Sequence, residues 1–302
     1  MSANGRAPAD EVFMCASCGI AEGDDINLKD CGDACKLVRY CSDACEKEHR
    51  PKHEQECEKQ VAQLRDELLF KQCESYLGDC PICLLPLLLD PDKNSVNACC
   101  SKIICSGCRN ASGLLKKKKS KCPFCRHPVP TSRAEADRNL MKRIKVNDPI
   151  AMRFLGMRCY WDGDYITSVH YLAKATQFGD AGSHYQLAIM YEEGNGVERD
   201  EEKRFHHLEE AAIGGHAAAR NNLGGLEWKS NRKDRAVKHW IIAANLGLDS
   251  SVKNLRSAYL DGQISKENFA MALRAYQAAA NAAKSPQRDE AERDAARVNW
   301  NR

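Results

Sequence analysis

Sixteen of the seventeen cysteines lie between Cys15 and Cys125, leaving only Cys159 in the C-terminal half. All but Cys73 and Cys159 fall in short groups. The first set reads Cys15-x2-Cys18, Cys31-x3-Cys35, Cys41-x3-Cys45 and His53-x3-Cys57. The second reads Cys80-x2-Cys83, Cys99-Cys100, Cys105-x2-Cys108 and Cys122-x2-Cys125. Such pairs let one knuckle or helical turn present two donors at tetrahedral separation. The N-terminus MSANGRAPADEVF lacks the positive-then-apolar pattern of a secretory signal, so an intracellular, reducing compartment, cytoplasmic and/or nuclear, is expected. There, dense cysteine reads as zinc rather than disulfide. Fifteen cysteines and His53 supply sixteen donors, enough for four Zn2+. His49, one helical turn before His53, is an alternative donor. Cys73 and Cys159 sit in helical patterns and read as buried thiols.

The metal changes the charge. The formal net charge of +3 counts thiols as neutral; four Zn2+ on fifteen thiolates bring it to about −4. The chain therefore gives no electrostatic argument for nucleic acid. The run Lys116-Lys117-Lys118-Lys119-Ser120-Lys121 reads as a solvated loop before Cys122, and its lysines could accept ubiquitin. No stretch approaches the ~18 apolar residues of a membrane span, so no membrane partner is expected.

The core Tyr40-Cys41-Ser42, its C-x3-C spacing and the terminal His53-x3-Cys57 give residues 15–57 a resemblance to a MYND-type zinc finger. The resemblance implies interleaved ligation: Cys15, Cys18, Cys41 and Cys45 on one zinc, Cys31, Cys35, His53 and Cys57 on the other. It also implies a surface for short, often proline-rich peptides. No tryptophan precedes His53, a departure from the family. Residues 80–128 open on Cys80-Pro81-Ile82-Cys83 and close on Cys122-Pro123-Phe124-Cys125-Arg126, which resembles a RING finger of the all-cysteine type. That resemblance implies a cross-brace, with Cys80, Cys83, Cys105 and Cys108 on one zinc and Cys99, Cys100, Cys122 and Cys125 on the other. Lys102 stands where the family's histidine would, and a protonated lysine has no lone pair to offer. The family docks a ubiquitin-loaded E2 enzyme on an apolar patch. By position that patch is Ile82, Pro123 and Leu114 or Leu115, with Arg126 as the cation bridging E2 and ubiquitin.

Val61, Leu64, Leu68 and Leu69 recur at three- and four-residue spacing, so a helix from Glu46 to about Leu77 is expected, its 58–79 part linking the two zinc modules. Within a second linker, 129–146, Ser132 and Glu135 fit a capping box that opens a helix carrying Leu140, Met141 and Ile144. Beyond residue 147 a repeat appears. A small residue precedes a leucine by four at Ala151/Leu155, Ser183/Leu187, Ala219/Leu223 and Ser251/Leu255, with leucine spacings of 32, 36 and 32. Small pairs recur at Ala175-Thr176, Ala211-Ala212, Ala243-Ala244 and Ala279-Ala280. Two helices per unit describe a solenoid. Leu155-Gly156, Leu187-x3-Tyr191 and Gly194-Asn195-Gly196-Val197 make 147–284 similar to four Sel1-like repeats, which implies a concave protein-binding face. Residues 285–302 are expected to cap the last repeat through Val298 and Trp300. Residues 1–14 are expected to be a flexible N-terminus.

The expected architecture is thus two small zinc-stabilised domains, MYND and RING, followed by an all-α helical-repeat solenoid. The resemblances imply a RING-type E3 ubiquitin ligase whose finger and repeats recruit substrates. A non-catalytic interaction scaffold with a degenerate RING is the alternative, favoured by the adjacent Cys99-Cys100. A SET-type methyltransferase is not expected, because these residues leave no length for that domain.

Overall fold

The computed structural model describes residues 14–20, 27–31, 38–112 and 120–300, with side chains through residue 295. Cys35, Leu114, Leu115, most of the lysine run and the 1–13 segment lie outside the described residues, as do the side chains of Val298 and Trp300. The chain forms two compact units, residues 1–69 and 70–302.

In the first unit β1 (Lys29–Asp30) pairs antiparallel with β2 (Arg39–Tyr40). Cys15, Leu28, Cys31 and Tyr40 form its small core. Helix α1 (Asp43–Phe70) follows, with Asp43 and Glu46 in its first turn, where carboxylates favour the positive end of the helix dipole. The helix stops at Phe70 rather than continuing to Leu77. Residues 71–75 have no regular structure, and the Lys71 carbonyl accepts from a distant arginine instead of a helical amide (below).

The second unit opens on the second cysteine set. Strand β3 (Asn94–Val96) pairs antiparallel with β4 (Ile103–Cys105) in the register Ser95 opposite Ile104, and helix α2 (Ser106–Ala111) leaves β4 directly. Ile104, Leu87 and three cysteines are its buried centre. Helix α3 (Arg133–Ile144) then starts at the expected cap: Ser132 Oγ accepts from the Glu135 amide at 3.2 Å. The Glu135 carboxylate reaches back to the Thr131 amide at 2.9 Å. Leu140 and Ile144 are buried and Met141 is exposed.

The helical array runs α4 (Pro149–Trp161), α5 (Tyr165–Thr176), α6 (Ala181–Glu193), α7 (Glu201–Ile213), α8 (Ala217–Lys229), α9 (Lys233–Asn245), α10 (Asp249–Leu260) and α11 (Lys266–Ala282). Successive helices pack as pairs, and each pair packs on the next. The residues with the 32/36 spacing explain why. Ala151, Ser183, Ala219 and Ser251 are wholly buried, as are Leu223 and Leu255, so small side chains let neighbouring helices approach while leucines fill the gap. Gly156 shows how close the approach is: an added Cβ would stand 3.0 Å from Leu172 Cγ. Ala279 and Ala280, at the end of the array, are only half-buried because no further repeat covers them.

The last helix, α12 (Pro286–Trp300), departs from the expected cap. It packs on α2 of the second cysteine module. Gly107 permits this, since a Cβ there would lie 2.8 Å from the Arg288 amide nitrogen. Among the described residues no helix is long and apolar enough to cross a membrane.

Candidate metal centres and interaction surfaces

Three groups of four sulfurs converge. They are Cys15, Cys18, Cys41 and Cys45; Cys80, Cys83, Cys105 and Cys108; and Cys99, Cys100, Cys122 and Cys125. A fourth group joins Cys31, His53 and Cys57, and Cys35 lies outside the described residues. Within each group every donor atom lies within 4.8 Å of the others. Tetrahedral Zn–S bonds of ~2.3 Å require sulfurs about 3.8 Å apart. The observed separations bracket that value: Cys18–Cys41 3.5 Å, Cys31–Cys57 4.0 Å, Cys83–Cys105 3.9 Å and Cys100–Cys122 3.6 Å. The residues fit zinc.

Local folding explains how the donors are held. Three C-x2-C pairs share one turn. The residue after the second cysteine is left-handed, Gly19 at φ 74°, Leu84 at 57° and Arg126 at 62°. Its amide donates to the carbonyl of the first cysteine, at 2.9 Å for Gly19, 2.8 Å for Leu84 and 3.1 Å for Arg126. Leucine and arginine are poor left-handed residues, so the knuckle imposes the conformation against their preference. The adjacent Cys99 and Cys100 lie in a turn in which the Cys100 and Ser101 amides both donate to Asn97 carbonyl. That turn lets neighbouring side chains, which diverge in a strand, point to one centre. Cys125 and Cys99 sulfurs are 3.3 Å apart, and Lys102 is exposed and outside the group.

The thiols of the second cysteine set are shifted in opposite directions by their surroundings. Burial, then the Cys122 sulfur, pushes the Cys100 thiol up to about 11. Burial also acts on Cys80, but the amides of Cys105, Cys83 and Ile82 outweigh it and pull this thiol down to about 7. Both of the competing histidines are placed. His53 is 3% exposed and joins Cys31 and Cys57, whereas His49 Nδ1 lies 3.1 Å from the Tyr40 hydroxyl. Cys73 is not in a helix, and its half-buried sulfur accepts from Arg220. Cys159 is half-buried in α4.

The patch expected to dock E2 is only partly described. Ile82 is 42% exposed beside the first of the two knuckles, Pro123 is half-buried and Arg126 is exposed. Arg288, which nothing in its sequence neighbourhood marks, is 2% exposed and enters the same module from α12. Its guanidinium donates to Pro86 O at 2.7 Å, Leu85 O at 3.2 Å, Ala283 O at 2.7 Å and Cys83 Sγ at 3.5 Å. A cation against a zinc-bound thiolate offsets the charge that a four-thiolate site carries.

Comparison with known proteins agrees with two of the three modules. Residues 15–57 match the MYND finger model. The Sel1 repeat model matches residues 149–177, 181–216 and 218–248, and neither model covers residues 80–128. A curated mouse (Mus musculus) protein, DAP3-binding cell death enhancer 1, is 26% identical over 195 residues. That match covers 51% of this chain and 38% of the relative, so the chain spans well under half of the relative's length. Among solved structures, a Sel1 repeat protein from Oxalobacter formigenes is similar at 26% identity and TM-score 0.44, over 52% of this chain and 67% of that one. A protective antigen of uropathogenic Escherichia coli displaying an SLR fold is similar at 19% identity and TM-score 0.39, over 55% and 37%. The chain thus carries an N-terminal zinc-binding MYND region followed by an all-helical array of Sel1 repeats.

Proposed function

We propose that the protein is a multivalent interaction scaffold, holding protein partners on the MYND finger and on the Sel1 repeats, with zinc in a purely structural role. The observation that carries this reading is that three of the four described cysteine groups are closed. Four donors converge in each of those three, whereas a catalytic zinc keeps a position open for water or substrate. Four zincs are proposed per chain, on the sixteen donors named above. His53 and Cys35 complete the second finger site and Cys99 completes the last. The relative named for binding DAP3 supports a protein partner, and DAP3 is the first to test. Calorimetric titration of zinc-loaded full chain with DAP3 should give saturable binding that is lost when zinc is chelated. Binding unchanged by chelation would refer it to the repeats alone.

A RING-type E3 ligase is the second reading. What favours it is the interleaving of the two all-cysteine groups in 80–128 with Ile82 exposed beside them. E2 and ubiquitin would then be partners, with Ile82, Pro123 and Leu114 or Leu115 on E2 and Arg126 bridging to ubiquitin. Discharge of E2-linked ubiquitin onto free lysine across a broad E2 panel separates the readings. The scaffold requires no stimulation by wild type. Stimulation lost in both Ile82→Ala and Arg126→Ala at full zinc content would establish the ligase.

A further inference from the structure

The segment that follows α1 lies against the repeats in an unusual manner. Phe70 sits 4.8 Å from the His239 ring, with the Arg235 guanidinium 4.9 Å and the Lys238 ammonium 5.3 Å from its centroid. Arg220, wholly buried in α8, donates to Lys71 O and to Cys73 Sγ, each at 3.4 Å. Gly215 (φ 86°) lies so close to Glu74 O that a Cβ would be 2.1 Å away, and its own carbonyl accepts from the Tyr76 amide at 3.3 Å. The Tyr76 ring stacks on His216 at 4.5 Å, and His216 stacks in turn on Tyr185 at 4.2 Å. Arg153 stands 5.6 Å from the Tyr76 centroid.

Phe70, Cys73 and Tyr76 are half-buried on the array, while Lys71, Gln72 and Glu74 between them are exposed. Phe70, Cys73 and Tyr76 are thus spaced by three, with Ser75 also half-buried beside Tyr76. The array reads one main-chain carbonyl, that of Lys71, one main-chain amide, that of Tyr76, the Cys73 sulfur and two aromatic rings through cation–π, stacking and hydrogen-bond contacts. No aliphatic side chain anchors residues 70–76, and residues 71–75 have no regular structure to melt on leaving. These are the features of a bound peptide rather than of a core.

We propose that this stripe, from Arg153 through His216 and Arg220 to His239, is a peptide-binding site occupied in cis by residues 70–76. Its partner is an extended segment of another protein with the pattern aromatic-x-x-small-x-x-aromatic, which binds by displacing the chain's own. The proposal rests on the scaffold reading and names the surface it uses. A tethered segment has a millimolar effective concentration, so a free competitor is masked until the cis segment is weakened.

The test uses the zinc-loaded full chain. A fluorescein-labelled peptide of residues 70–77 carrying Cys73→Ser is titrated into wild type and into the double variant Phe70→Ala, Tyr76→Ala. At least ~10-fold tighter binding to the double variant is expected. A peptide with both aromatics replaced by alanine should not bind, and adding Arg220→Met to the vacated chain should weaken binding again. Circular dichroism and zinc content verify folding. If the double variant is misfolded, Tyr76→Ala alone serves, and excess peptide must then speed amide exchange of residues 71–77 in wild type. No gain on vacating the site, or equal binding of both peptides, overturns the proposal. DAP3 titration of the same variants tests the scaffold reading independently, since the MYND finger is untouched.

Discussion

The Arg288 guanidinium lies 3.5 Å from the Cys83 sulfur, although 205 positions separate the two residues. The same group closes on three carbonyls, so its loss strips hydrogen bonds from Leu85, Pro86 and Ala283 together. Groups that orient and neutralise a metal's ligands typically change its affinity by about 10–100-fold. Arg288→Met should accordingly speed zinc release from the group of Cys80, Cys83, Cys105 and Cys108. Arg288→Lys, which keeps the charge but not the fork, should fall between. Release followed with a chelating dye gives the rates, and unchanged release in Arg288→Met would contradict the role.

Zinc stoichiometry tests the donor sets. Wild type should hold four ions, and Cys99→Ala about three, because Lys102 cannot replace the lost sulfur. His53→Ala should also lose one ion, while His49→Ala, whose ring meets Tyr40 rather than the sulfurs, should keep all four. Elemental analysis of each variant at equal protein concentration decides it.

Two buried histidines make the repeats acid-sensitive. Burial, then Arg153, depresses His216 to about 3, and burial, then Arg220 and Arg235, depresses His239 to about 3. Unfolded, both titrate near their ordinary 6.5, so the unfolded chain binds more protons between pH 6.5 and 3. Stability is therefore full above pH 6.5 and is lost as pH falls toward 3. The loss is about 1.4 kcal/mol per pH unit per histidine. His216 also accepts the Ala219 amide at 3.3 Å, a role only its neutral ring can fill. Trp161, Trp228 and Trp240 lie in the array, so in a Trp300→Phe background the fluorescence follows the repeats. Urea midpoints at pH 7.5 and 5.0 should separate accordingly.

His239 is the informative substitution. Among the described residues neither of its ring nitrogens finds a hydrogen-bond partner. His239→Phe keeps a ring against Phe70 and removes a buried polar group worth about 1–3 kcal/mol of desolvation. It should raise stability at pH 7.5 and remove the His239 share of the acid-dependent loss, leaving that of His216 and of His207, which burial depresses to about 4. A destabilised variant with an unchanged pH slope would refute the assignment.

Adjacent glycines in α8 should behave oppositely. A Cβ on Gly224 would stand 2.4 Å from Trp240 Nε1, and Trp240 is buried, so Gly224→Ala should cost about 1–3 kcal/mol. Gly225 has nothing within 4 Å of its added Cβ, so Gly225→Ala should stabilise by up to ~1 kcal/mol. Thermal unfolding monitored by circular dichroism at 222 nm compares the two.

The donor spacing and the 32/36 alternation were legible because each is a local rule. A zinc knuckle needs two sulfurs within one turn, and a repeat must return a small residue and a leucine to the same packed face. Ser132 and Glu135 announced the start of α3 for the same reason, since a cap is satisfied within four residues. What lies far apart in the chain carries no such period. Arg288 reads as one charge in a polar helix, and only the tertiary structure brings it to Cys83. The composition of residues 71–77 is helical, yet the chain leaves the helix at Phe70 because Arg220 takes the Lys71 carbonyl, the Gly215 carbonyl takes the Tyr76 amide and His216 takes the Tyr76 ring, all more than 130 residues later. Local spacing thus determined the MYND finger, the metal-donor groups and the Sel1 repeats, while the burial of arginines and aromatic rings against distant backbone decided where the chain's helix ends and where its last helix docks.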